Sequence, residues 1–392
     1  MNNASTAYPR NISLAFSPGE KVWLFLTTLY HRRFVEDAIH IVGLPSGSHM
    51  RLRYRKQYVD PVLWNEIDDG GFCGGEFAVI ALAATEEVGG ENVVHPLRRS
   101  EILSASCEGS VLVVDIVLRD FLFNLPSSRN SFWAEARLIA RNVPAEFSGA
   151  SAGGVFLQRL ASSPQALSAG HGVAAWEKTA AAFFEVSLAS TGKGGRALVP
   201  FLYYIAEPAR SIRLRLNSRG TLSIEAGCTI TLEIHTVAED SSGGFRNALG
   251  EVLLELSHPV ASFLSSRRVR VDSRRDVKAI KIVSPPVFRR AHGHLSVRMV
   301  KFDSKQDAQD GAEALQSGGG RTEVVVSRYD YPLRIGRWIP SFASVLVAAA
   351  AGLAAYKPSA QPIGGNDWVL PGLVFAFALA GLMLGLRKDG KG

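Results

Sequence analysis

Met50 to Tyr58 reads MRLRYRKQY. Arg51, Arg53 and Arg55 alternate with Leu52 and Tyr54, a period of two that suits an extended strand with one wet face and one buried face. The same kind of pattern recurs outward in both directions. Lys21–Leu29 (KVWLFLTTL) is a compact apolar run, and further strands are expected at Phe77–Ala84, Val111–Leu118, Phe132–Ala140, Ala181–Ala189, Leu198–Ile205, Ser211–Leu216, Thr221–Glu225, Thr229–Thr236, Val277–Val283, Leu295–Phe302 and Thr322–Arg328. Turn formers punctuate them, as at Gly192–Gly195 and Asn217–Gly220. Helices are expected only at Arg33–Val42, ended by Gly43 at the C-cap position, and at Gly244–Ser257. The fold class that follows is mainly β, with sandwich- or barrel-like modules and few helices, completed by a C-terminal two-helix transmembrane hairpin.

The hairpin rests on two charge-free segments. Ile339–Tyr356 reads IPSFASVLVAAAAGLAAY and Trp368–Leu386 reads WVLPGLVFAFALAGLMLGL. As helices they extend about 27 and 28 Å, close to the roughly 30 Å of a bilayer's hydrocarbon core. Trp338, Tyr356 and Trp368 stand at their ends, as interfacial aromatics do. Pro358, Pro362 and Gly364–Gly365 fill the short connection. The alternative is a pair of buried helices in a soluble fold. Arg328, Arg334 and Arg337 precede the first segment, Lys357 alone lies between them, and Arg387, Lys388 and Lys391 follow the second. That bias predicts a two-span membrane protein with both termini cytoplasmic. The opening MNNASTAYPRNISL lacks the basic-then-apolar pattern of a signal peptide, in keeping with that orientation.

Small residues recur every four positions along these segments: Ser344, Ala348 and Gly352 on the first, and Gly372, Ala376 and Ala380 on the second, where Gly381 and Gly385 also form GxxxG. Such ridges let helix backbones approach closely in lipid. They serve equally to close the hairpin on itself or to pack one copy against another, so a homo-oligomer is one expected outcome. With only Ser341 and Ser344 polar, the spans lack the lining of a selective channel.

Composition bounds the rest. The chain has 392 residues, 47% hydrophobic and 20% charged, with a net charge of +7. Wholesale disorder is excluded, as are collagen and coiled-coil repeats. Three cysteines, Cys73, Cys107 and Cys228, lie far apart, which disfavours a disulfide framework or a structural zinc site. Basic residues concentrate between Phe201 and Val300, where fifteen Lys/Arg face nine Asp/Glu. The densest stretch holds Arg267, Arg268, Arg270, Arg274, Arg275, Lys278, Lys281, Arg289 and Arg290, with Val269 and Val271 between the arginines. An anionic bilayer surface is its natural partner. The scarcity of interleaved aromatics disfavours nucleic acid, and a merely solvated face is the plain alternative. Arg51, Arg53, Arg55 and Lys56 form a second, smaller patch.

Catalytic patterns do not cohere. Asp68–Glu76 (DDGGFCGGE) surrounds Cys73 with glycines, suggesting either a nucleophilic thiol or simply a tight loop before the strand at Phe77. Thr191–Arg196 (TGKGGR) fails the phosphate-loop pattern at Ser187 and Gly194. His292 and His294 make an HxH with no third ligand close in sequence. No cofactor, metal or enzymatic activity is therefore expected. Gly47–Met50 (GSHM) resembles a tag remnant, yet its mid-chain position marks it as native.

Leu222–Ile234 (LSIEAGCTITLEI) resembles the strand–turn–strand of Ig-like β-sandwiches, and the overall layout resembles membrane-tethered effectors of bacterial conflict systems. The domain reading is a β-rich (α+β) module over 1–145, a Ser/Ala/Gly-rich loop over 146–172 and a β-sandwich-like module over 173–302. A flexible acidic and Gly-rich linker follows over 303–320, then a final strand and juxtamembrane segment over 321–337, the hairpin over 338–386 and a cytoplasmic tail over 387–392. The expected function is a membrane-anchored, non-enzymatic interaction or sensor protein presenting its β-rich body to a cytoplasmic protein partner. The alternative is a membrane-disrupting effector whose hairpins cluster on triggering.

Overall fold

The structure, a computed structural model, describes residues 15–29, 32–72, 74–85, 92–124, 155–164, 167–191, 199–206, 214–216, 220–238, 248–259, 261–284, 290–302 and 323–335. The apolar segments 339–356 and 368–386 lie outside them, as do the whole hairpin, the 303–320 linker and the strand expected at 132–140. Among the described residues no helix is long and apolar enough to cross a membrane.

The chain is mainly β. Its first sheet contains β1 (Val22–Thr28), β2 (His49–Arg55), β3 (Phe77–Thr85), β4 (Asn92–Glu108), β5 (Val111–Asn124), β6 (Leu157–Arg159) and β7 (Leu167–Gly170). The order is β2-β5-β4-β3-β1-β6, and β7 pairs with the end of β5. Every residue of β1 is buried; it runs parallel to β3 on one side and pairs with the short β6 on the other. A strand covered on both faces reads as a continuous apolar run rather than an alternation. At the edge, β2 keeps its period of two: Met50, Leu52 and Tyr54 are buried, while Arg51, Arg53 and Arg55 are exposed.

The other two sheets come from the second half of the chain. Their strands are β8 (Phe201–Ala206), β9 (Leu214–Leu216), β10 (Leu222–Ile224), β11 (Thr229–Ala238), β12 (Gly250–Ser257), β13 (Ser262–Phe263), β14 (Arg268–Val271), β15 (Arg275–Val283), β16 (Ala291–Phe302) and β17 (Glu323–Ile335). One sheet has the order β14-β12-β16-β17-β10-β9, the other β13-β15-β11-β8. The Ig-like stretch does form strand–turn–strand about Gly227, but β10 and β11 belong to different sheets. It is an arch between layers rather than a hairpin within one.

Among the described residues the α-helices are α1 (Arg32–Gly43), α2 (Pro61–Asp68), which packs on β4, and α3 (Gly172–Thr191). Helix α1 touches β1 and β4 on one side and β8 and β17 on the other, and α3 likewise reaches β3, β5, β8 and β11. Buried side chains from all three sheets consequently form one continuous cluster. Gly43 closes α1 by proximity: a Cβ there would lie 2.8 Å from the Tyr203 carbonyl oxygen, so only glycine lets β8 pass this near.

Two expected elements take the opposite form, and α2 and β4 arise where no element was expected. Residues 181–189 belong to α3 rather than a strand. Trp176, Thr179, Ala180, Phe183 and Phe184 are buried at helical spacing, so the apolar period is 3.6 and not two. Residues 250–257 form β12 rather than part of a helix. Leu and Glu favour helices weakly, and here hydrogen-bonded neighbours on both edges, β14 and β16, override that preference.

Candidate functional site

The conspicuous opening lies where β12, β16 and β17 end together. Cross-strand register sets His294 opposite Ser257 of β12 and Pro332 of β17, and His292 opposite Arg334. His292 and His294 are both exposed, two residues apart on one face of β16, so they lie within the strand rather than before it. His258 follows β12 directly. These side chains, with Thr221, Leu256, Pro259 and Leu333, line a groove of about 970 Å³.

Gly293 explains how the imidazoles come together. A Cβ at this position would lie 2.3 Å from the Ser257 carbonyl oxygen and 2.6 Å from Cδ2 of His258. The His258 ring therefore rests where a side chain at position 293 would otherwise be. Its Nδ1 accepts a hydrogen bond from the Ala261 backbone N–H at 3.0 Å. Burial lowers its pKa and the nearby His292 adds to the effect, while a hydrogen bond that the ring donates to the Ala291 backbone carbonyl opposes it. Arg334 is half-buried, with Nε enclosed and lacking a hydrogen-bond partner among the described residues. Among those residues, no three His, Cys, Asp or Glu side chains are grouped to hold a metal ion. The arrangement offers imidazole and guanidinium N–H donors, which suits an anion.

The basic stretch is distributed differently. On β14, Arg268 and Arg270 are exposed while Val269 and Val271 are buried. The two arginines clasp the buried Glu251 of β12, at 3.2 and 3.0 Å. Arg275 pairs with Glu177 at 3.3 Å and Lys278 with Asp276 at 3.7 Å. Arg267 lies over the Phe263 ring. Lys281 and Arg274 are exposed, and Arg290 is exposed at the start of β16, apart from β14 in the sheet. Arg289 lies outside the described residues, as do the interfacial residues Trp338, Tyr356 and Trp368 and the small-residue positions Ser344, Ala348, Gly352, Gly372, Ala376, Ala380, Gly381 and Gly385. Acidic neighbours thus engage four arginines and lysines of the stretch that looked most basic in sequence.

The glycine-rich loop around Cys73 has a structural account. Gly70, Gly74 and Gly75 all adopt positive φ, between 78° and 80°, which L side chains resist. The loop delivers Glu76 to Arg159, Lys21 and the Trp23 indole, and Arg159 also binds Glu66. Cys73 itself lies outside the described residues. The GSHM stretch is integral, since Ser48 is fully buried and its hydroxyl meets that of Tyr331 at 3.5 Å.

Sequence reasoning missed His258 and Arg334 as partners of the HxH pair. The only available signal was a second histidine beside a proline, His258–Pro259, at the end of an apolar run. No protein-family model matches the sequence, and no curated protein is similar enough to it to count as a relative.

Proposed function

We propose that this chain is a membrane-anchored, non-enzymatic interaction or sensor protein, with its β-rich body and both termini on the cytoplasmic side. The carrying observation is the pair of charge-free segments at 339–356 and 368–386, flanked by basic residues and bracketed by Trp338, Tyr356 and Trp368. The three packed sheets provide the surface such an anchored body would offer to a protein partner. Self-association would run through the ridges at Ser344, Ala348, Gly352 and Gly372, Ala376, Ala380.

The test is flotation of the full-length protein with membranes after an alkaline carbonate wash. Recovery with lipid is expected, and recovery in the aqueous fraction overturns the reading. Protease added to sealed inside-out vesicles should then degrade the body and release the C-terminal tail. Those small-residue ridges also suit a second reading, in which clustered hairpins breach the bilayer. Leakage of trapped dye from vesicles carrying the oligomer supports that reading, and retention of the dye excludes it.

A further inference from the structure

β17 ends at Ile335, and the first apolar segment begins four residues later at Ile339. Four residues reach at most about 14 Å even when fully extended. Whatever lies at the Ile335 corner of its sheet is therefore held within that distance of the point where the chain would meet a bilayer. That corner is the histidine groove. Ala291 is the residue opposite Ile335, His292 is opposite Arg334, and the exposed Arg290 immediately precedes them.

Charge there contrasts with the stretch on β14 and β15. Among the described residues, the groove's lining carries three histidines and an arginine but no carboxylate. Asp330, the nearby acid on β17, is already engaged by the Ser296 hydroxyl and by Arg328 at 3.2 Å. Most of the 267–281 basics, by comparison, have an acidic or aromatic neighbour. The exposed His292 and His294 and the half-buried Arg334 thus gather their N–H donors at the corner from which the chain leaves, with His258 packed beneath them.

We propose that the groove formed by His258, His292, His294 and Arg334 receives the phosphate headgroup of an anionic lipid in the bilayer that the chain's own hairpin enters. This rests on the anchoring proposed above. The lipid phosphate accepts hydrogen bonds from His292, His294 and the Arg334 guanidinium, and the exposed Pro259 and Pro332 beside them face the glycerol region.

The experiment reconstitutes the full-length protein into bilayer nanodiscs of pure phosphatidylcholine or of phosphatidylcholine with phosphatidylglycerol. Carbethoxylation of each histidine by diethyl pyrocarbonate is then followed by mass spectrometry. His292 and His294 should react about fivefold more slowly in the anionic discs, while the exposed His171 serves as an unchanged reference. Arg334→Gln should abolish the difference, and Arg290→Gln should reduce it should the first variant fold poorly. Equal rates in both discs, with the protein still disc-bound, overturn the lipid site and leave the anchoring intact. Equal protection by excess inorganic phosphate in neutral discs assigns the groove to a soluble phosphate ligand and also overturns it. Failure to enter discs at all overturns the anchoring, and this inference with it.

Discussion

Nη1 of Arg98 donates to the carbonyl of Leu44 at 2.8 Å, placing a buried guanidinium against the C-terminal end of α1. The same nitrogen reaches the Ile41 carbonyl at 3.2 Å, while Nε and Nη2 converge on the Arg119 carbonyl at 2.9 and 2.6 Å. The Phe121 ring lies 4.0 Å beneath Cζ. A cation here meets the negative end of the helix dipole and satisfies carbonyls that end the helix.

Arg98→Leu should therefore lower stability by about 3 kcal/mol, since it removes several charge-assisted hydrogen bonds inside the fold. Arg98→Lys should recover only part of that loss, because an ammonium cannot reproduce the planar fork. Denaturant midpoints in detergent solution measure both. An unchanged midpoint for Arg98→Leu would show that the guanidinium contributes no net stability.

Asp37 and His40, three residues apart on α1, make opposite demands on pH. Burial, opposed by Arg33 and reinforced by Glu36, pushes the Asp37 carboxyl up from 3.8 to about 7. Burial alone lowers His40 from 6.5 to about 4. Between those values the unfolded chain holds the histidine proton more tightly, so His40 makes stability fall as pH drops from 6.5 to 4. The folded chain holds the carboxyl proton more tightly, so Asp37 makes stability fall as pH rises from 3.8 to 7. The native protein should show a shallow profile across this range. Asp37→Asn should unmask a rise of about 3 kcal/mol from pH 4 to 6.5, and His40→Leu a decline over the same interval. Matching profiles for the two variants would contradict the assignment.

Gly293→Ala should be destabilising by about 2 kcal/mol or more, because the new methyl would overlap the Ser257 carbonyl and the His258 ring. The His258 resonance should shift as its ring is displaced. Retained stability with an unmoved His258 would mean the strands separate there without penalty.

Tyr329→Phe removes the hydroxyl that donates to the His49 carbonyl, a link between β17 and β2 in different sheets. A loss of about 1–2 kcal/mol is expected. Faster exchange of backbone amides in β2 and β17, compared with β15, would localise the effect.

How much the residues disclosed by themselves depended on whether their pattern was local. MRLRYR announced a strand because its wet and dry sides alternate, but the alternation stops at Arg55 and Lys56–Tyr58 close into a 3-10 turn. The alternation of Val269 and Val271 with arginines likewise matched β14. Residues 181–189 misled because Phe183, Phe184 and Val186 have strong strand preference, and the helical spacing emerges only when Trp176 is included. β4 went unseen since Pro96 interrupts it. The structure accommodates that proline at a bulge where Ile80 pairs with Arg98 and Ala81 with Pro96. α2 was signalled by Asp60 before Pro61, the cap whose carboxylate accepts from the N–H groups of Val62 and Leu63, but its brevity hid it. Of the groove only the HxH pair, His292 and His294, was legible. The groove's three short runs, 256–259, 292–294 and 332–334, are dozens of positions apart, and only the register of β12, β16 and β17 joins them.

β17 carries neighbours on both edges, twelve residue pairs with β16 and a shorter parallel ladder with β10. Helix α1 also rests on it, and the Arg328 backbone N–H is held by Glu36 of that helix. Tension arriving from beyond Ile335 would be shared by two ladders and a helix together, instead of unzipping a loose end. In a chain anchored beyond Ile335, β17 would therefore be a mechanical root, passing force into the interior with little slack.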